Sequence, residues 1–156
     1  MTDEYQPKSE FLRAVAADEI PLFGSAFADS NFRRLLAMTT DSERSNRDWA
    51  TLLISQQSMD TDEIRDILRK AALDEDEAVR AEAILGLAQR DPKGALPLIR
   101  SALKAGRVMA PVFEAAAIAA DRSLIHDLRK FLEPSGDAYV DQLAAEALTA
   151  CEKRRS

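Results

Sequence analysis

The sequence predicts an all-α fold, a helical solenoid of about four helix pairs behind a helical N-terminal cap. Three observations lead there. Apolar residues make up 46% of the 156 positions but aromatic residues only 6%, with alanine abundant. Such a composition suits helices whose small side chains let backbones approach, whereas a β-sandwich would want more Val, Ile, Thr and Tyr. Five glycines and six prolines are too few to punctuate many strands and hairpins. The third observation is repetition. Asp41 precedes Arg47 by six residues, Asp74 precedes Arg80 by six, and the two pairs are offset by 33. Repetition at that interval is the signature of stacked helical units.

Along the chain, Phe11, Leu12, Val15 and Ala16 have the spacing of one short amphipathic helix, and Ile20 to Ala28 is expected to add another helical turn or a capping segment with Pro21 at its start. Residues 1–29 carry six acids against two bases, which suits the polar cap that closes a solenoid's open end. Helix pairs are expected at about 30–57, 61–90, 91–120 and 121–152. The second is the clearest. Ile64, Ile67, Leu68, Ala71 and Ala72 follow helical spacing. Asp74-Glu75-Asp76-Glu77 then breaks the chain and places acids at the positive end of the next helix. Val79, Ala83, Gly86 and Leu87 share one face of that helix, and Asp91-Pro92 begins another. One unit earlier, Ala50, Leu52 and Ile54 align with Ala83, Leu85 and Leu87. One unit later, Val112, Ala116 and Ile118 keep the apolar frame, but Arg107 and Phe113 replace the Asp and Arg. A fourth unit follows at the shorter offset of 28, with Leu124, Phe131, Val140, Ala144 and Ala147 in the places of Leu96, Leu103, Val112, Ala116 and Ala119. Pro134-Ser135-Gly136-Asp137 is the turn between its helices.

The run Asp74-x-x-x-x-Val79-Arg80-x-x-Ala83-x-x-x-Leu87, followed by Asp91-Pro92-x-x-Ala95-Leu96-Pro97-Leu98, resembles the HEAT-repeat family, in particular the short bacterial kind whose second helix opens with Val-Arg. Asn46-Arg47-Asp48-Trp49-Ala50 is similar to a variant of that helix start. The resemblance covers about residues 30–150. It implies a right-handed α-α superhelix and a structural ladder in which Asp41/Arg47 and Asp74/Arg80 tie successive units at their turns. It also implies a scaffold or adaptor role, with a minority of relatives being enzymes or enzyme subunits. The third and fourth units depart from the pattern, so no continuous ladder is expected there.

The charge balance is 21 − 27 = −6. An acidic chain of this size repels phosphate backbones unless a local basic patch overrides the total. One cysteine, Cys151, cannot form an internal disulfide. The opening Met1-Thr2-Asp3-Glu4 lacks the basic and apolar regions of a signal peptide, and no apolar run approaches the ~20 residues of a membrane span. A cytoplasmic protein is expected.

No catalytic, metal or cofactor motif stands out, and the expectation is no enzyme and no cofactor. His126 is the only histidine, and with Asp127 beside it supplies two ligands that do not face one another. A surface histidine on an outer helix is the plainer reading. The iron-binding HEAT hydroxylases need several His-Glu pairs, and none is present. Cys151 has no base pattern to activate it. The acidic run Asp74 to Glu77 lacks the alternating ligands, central glycine and terminal glutamate of a calcium loop, and reads as a capped turn. Arg90, Lys93, Arg100, Lys104 and Arg107 form a basic cluster of the kind that HEAT-like DNA glycosylases use, but it falls mainly on the first helix of a pair, which faces the convex side.

The concave face is the more informative candidate. With Val79, Ala83 and Leu87 toward the core, the opposite side falls near positions 81, 85 and 88–89 at ~100° per residue. Alignment places Asp48, Leu52, Leu85, Glu114, Ile118, Gln142 and Glu146 there, with Trp49 and Glu82 at the edge. Leu52, Leu85 and Ile118 would form an apolar stripe bordered by carboxylates, as protein interfaces do. Alternatively these leucines are buried between neighbouring helices or under the N-terminal cap, and Trp49 is core. The expected function is a non-enzymatic interaction module: a scaffold, an adaptor or an inhibitor- or immunity-type binder. Its expected partner is another protein, with basic residues favoured by the chain's acidity, or a second copy of the chain, with nucleic acid and membrane disfavoured. The alternative is a HEAT-like enzyme or enzyme subunit, such as a bilin lyase subunit or a DNA glycosylase.

Overall fold

The structure, a computed structural model, describes residues 5–153. Met1-Thr2-Asp3-Glu4, on which the expected absence of a leader rests, lies outside the described residues. The chain is all-helical: α1 (Glu10–Ala16), α2 (Ala26–Ala37), α3 (Arg44–Gln56), α4 (Asp62–Ala71), α5 (Glu77–Arg90), α6 (Pro92–Leu103), α7 (Ala110–Ala119), α8 (Ile125–Arg129) and α9 (Ala138–Lys153).

The helix starts follow from local chemistry. Side-chain oxygens of Ser25, Thr61, Asp76 and Asp91 accept backbone N–H groups in the first turns of α2, α4, α5 and α6. These bonds satisfy donors that a helix leaves open at its N-terminus. Pro92 stands in the first turn of α6, where its missing N–H costs nothing. Ala120, at φ 47°, ends α7 in the left-handed region.

The helices pack in two layers. In one row α3 lies against α5, α5 against α7 and α7 against α9; α4, α6 and α8 cover the other side of that row, and α1 and α2 pack at the α3 end. Leu12, Leu35, Ile54, Ile64, Leu68, Val79, Leu87, Ile99, Leu103, Phe113, Leu124 and Leu128 form one fully buried core between the layers. Each such side chain contributes ~1.5–3 kcal/mol of burial. Phe113 meets Phe131 edge-on at 5.1 Å between ring centroids. Gly86 lets α5 approach α3 closely, since a Cβ there would sit 2.7 Å from Ser55 Oγ.

Two expectations are corrected. Of the two alternatives for Ile20 to Ala28, the helical turn opening at Pro21 does not form, which leaves the capping segment. Gly24, at φ 104°, interrupts the segment, and Ser25 caps α2 only at Ala26, so the first pair begins before residue 30. The core-opposite side of α5 is also not marked by positions 81 and 88. Ala81 and Ala88 are buried, because α5 is flanked by α3 and α7 as well as covered by α4 and α6. Its open edge narrows to Ala78, Glu82, Leu85 and Gln89, one turn apart.

Candidate functional site: an acidic face across α3, α5 and α7

The partly open positions of the α3–α5–α7–α9 row recur at helical spacing. They are Asp48, Trp49 and Leu52 on α3, Glu82 and Leu85 on α5, Glu114 and Ile118 on α7, and Tyr139, Gln142 and Glu146 on α9. Ile118 is 42% exposed, whereas Trp49 and Leu85 are partly buried against the core. The stripe thus divides between the two sequence readings: its α7 end is open, and its α3 and α5 members are half-covered.

Carboxylates line the same face. Glu82 makes no side-chain hydrogen bond or ion pair among the described residues. Burial, reinforced by the Asp48 and Glu114 carboxylates, pushes its carboxyl up to about 7. Burial also raises Asp48, which lies beside the Tyr5 hydroxyl. The Tyr139 hydroxyl donates to Glu114 at 3.4 Å, and Gln142 donates to Glu146 at 2.9 Å. Tyr5 stacks on Trp49 with ring centroids 6.3 Å apart, and the buried Trp49 Nε1 has no hydrogen-bond partner among the described residues. Nothing in the spacing of the repeats signalled Tyr5, which reaches the face from outside them. Its segment is held by the Ser9 N–H, which donates to Asn46 Oδ1 at 2.9 Å, and by the Lys8–Glu43 ion pair at 3.1 Å.

The Asp and Arg markers occupy the opposite edge, at the turns. Arg47 donates through Nε and Nη2 to Asp74 at 3.0 and 3.3 Å, bridging the first two units, and through Nη1 to the carbonyls of Asp41 and Ser42 in its own turn. Arg80 repeats the internal half of this arrangement, donating to the carbonyls of Asp74 and Glu75 at 2.7 and 2.9 Å. Its onward partner would stand at position 107, where the residue is Arg107, which pairs with Glu77 at 3.9 Å. The Asp41 carboxylate accepts from Glu43 N–H and Asn46 Nδ2. In the acidic run, Asp74 Oδ1 also accepts from Asp76 N–H, and Asp76 caps α5 while pairing with Arg44.

The basic cluster does not form one surface. Arg90 turns inward and donates to the carbonyls of Ile54, Ser55, Gln57, Met59 and Gly86 at 2.6–3.3 Å, and its burial lowers the guanidinium's affinity for its proton. Sequence reasoning missed this role, because four of the five acceptors belong to the end of the preceding unit. Arg100 donates to Ser123 Oγ, and only Lys93 and Lys104 stay exposed without a pair among the described residues.

His126 is exposed on α8 while Asp127 is buried and pairs with Lys130 at 3.3 Å. Cys151 is buried on α9, its thiol pushed up to about 11 by that burial. Among the described residues no three His, Cys, Asp or Glu side chains converge as metal ligands, and no helix is long and apolar enough to cross a membrane.

By class the chain is an all-α protein of paired, stacked helices. No family model matches its sequence. It is 31% identical over 114 residues to Protein YibA of Escherichia coli strain K12 and to that of strain O157:H7, a span of 73% of this chain and 41% of each relative. The chain therefore matches about two fifths of the length of these curated relatives. The X-ray structure of Escherichia coli YibA superimposes with a TM-score of 0.65 at 25% identity, over 91% of this chain and 55% of that one.

Proposed function

We propose that the chain is a HEAT-like α-solenoid serving as a non-enzymatic protein-interaction module, with the face of α3, α5 and α7 as its contact surface. One observation carries the reading. Trp49, Leu52, Leu85 and Ile118 cross three successive helices beside Asp48, Glu82 and Glu114, and those carboxylates pair with no base among the described residues. An apolar strip with a polar border is how stable interfaces are built, and tryptophan is enriched among their energetic centres. A cytoplasmic setting suits the buried free thiol of Cys151.

Leu52→Asp with Leu85→Asp places two charges in the strip, while Lys93→Asp changes an exposed residue of α6 on the other layer. Affinity purification of each folded variant from native lysate, quantified against wild type, tests the proposal. The expected result is loss of stoichiometric partners from the double variant and their retention by the Lys93 variant. Retention by both overturns the reading.

A further inference from the structure

We propose that this face holds an extended basic segment whose cationic side chains recur every third residue, one against each of Asp48, Glu82 and Glu114, with their aliphatic stems on Trp49, Leu52, Leu85 and Ile118. The inference rests on the interaction reading above and supplies the chemistry of the partner.

Charge complementarity is the first argument. The three carboxylates stand one on each of three adjacent helices, and no cation among the described residues pairs with them. Arg44, whose charge acts on Asp48, is committed to Asp76, and Arg47 to Asp74. Other acids at the rims are paired, among them Glu43, Asp60, Glu63 and Asp66. A half-buried carboxylate without partners is costly to ionise, so Glu82 gains most from a cation supplied from outside.

Spacing is the second argument. Packed helices lie ~8–10 Å apart, so carboxylates borne on neighbouring helices are expected at about that interval. A polyproline-type chain rises ~3.1 Å per residue with three residues per turn, so every third side chain points the same way ~9 Å further on. On an α-helical ligand, neighbours on one face are only ~5–6 Å apart, and most of its cations would miss the row. The strip also matches the shape of lysine and arginine, whose methylene stems lie along apolar surface while the charged head reaches polar groups. The Tyr5–Trp49 pair adds an aromatic platform beside Asp48, on which a cation is further stabilised.

Binding is coupled to pH through Glu82. The charges acting on it are the Asp48 carboxylate from α3 and the Glu114 carboxylate from α7; its own helix presents uncharged Ala78, Leu85 and Gln89 on that edge. Both neighbours are negative and favour the protonated acid, whereas a bound cation favours the ionised form. The carboxyl sits at about 7 in the free protein and lower in the complex. Affinity is therefore full above that value and falls as pH drops through it, by up to tenfold per pH unit for one linked proton.

The test uses the full chain and fluorescent synthetic dodecapeptides, read by anisotropy between about pH 6 and about pH 8. One peptide carries lysine at every third position with alanine and proline between. Another has the same composition with its lysines contiguous, and a third replaces lysine by glutamate. The spaced peptide is expected to bind about tenfold tighter than the contiguous one, and about tenfold tighter at the upper pH than at the lower. Glu82→Gln, nearly isosteric, is expected to weaken binding about tenfold at the upper pH and to flatten the pH profile. Equal binding of the spaced and glutamate peptides, no binding at millimolar concentration, or a Glu82→Gln protein that behaves as wild type overturns the proposal. If Leu52→Asp with Leu85→Asp abolishes native-partner capture while Asp48→Asn, Glu82→Gln and Glu114→Gln together leave it intact, the interaction reading stands and the basic-segment inference falls. If neither set changes capture, both fall.

Discussion

Arg90 shows how one side chain can hold the joint between two units. Its guanidinium reaches carbonyls at the end of α3, in the following loop and on α5, so five acceptors are met by one planar fork. Hydrogen bonds to a charged group contribute ~1.5–3 kcal/mol each when isolated, and less when they share a donor. Arg90→Met keeps much of the volume and strands these acceptors. Chemical denaturation should show a loss of at least about 3 kcal/mol. Arg90→Lys should recover only part of it, because an ammonium cannot reach in two directions at once. A loss below about 1 kcal/mol for Arg90→Met would show the carbonyls to be satisfied by water.

Among the elements, α3 and α5 are joined by a directional tie. Arg47 and Asp74 are only 12% and 13% exposed, so their contact is sheltered from solvent screening. A double-mutant cycle of Arg47→Ala and Asp74→Ala should give a coupling of about 1–3 kcal/mol. Arg80→Ala, which loses bonds only within its own turn, should cost less than Arg47→Ala, and the reverse order would contradict the description of the two turns. The residues of this tie were legible as markers recurring at one offset, its bridging role only as what the family resemblance implies, and its failure at the next unit in Arg107. The carboxylates of the open face were legible as helical positions, although Glu82 rather than the aligned Ala81 supplies the middle one. Three things were hidden. The start of α2 depended on a glycine at positive φ, the burial of Ala81 and Ala88 depended on neighbours that arrive from distant sequence, and Tyr5 lies outside the repeat altogether.

For the whole molecule, a row of helices that each touch mainly their neighbours distributes stability unevenly. Elements in the middle are flanked on more sides than those at the ends, and stability in such arrays is the sum of unit and interface terms. Here α5 packs against α3, α4, α6 and α7, whereas α1 is seven residues long, α8 is five, and α2 leaves Phe27 70% exposed. Native-state hydrogen exchange should therefore find the slowest amides in α5 and α7 and the fastest helical ones in α1, α2 and α8. Equal protection of α2 and α5 would mean that the chain opens as one cooperative block.

The two kinds of joint also differ mechanically. Between α3 and α5 the turns are clamped by Arg47 and Asp74, and bonds of that kind resist sliding because they have direction. Between α5 and α7 a long, exposed Arg107–Glu77 pair at 3.9 Å stands in place of the sheltered clamp, and apolar contact, which has no preferred direction, carries most of the joint. Strain applied along the row is therefore expected to fall on the α5–α7 joint before the α3–α5 joint. On that expectation the gap between Glu82 and Glu114 would change before the spacing of Asp48 and Glu82.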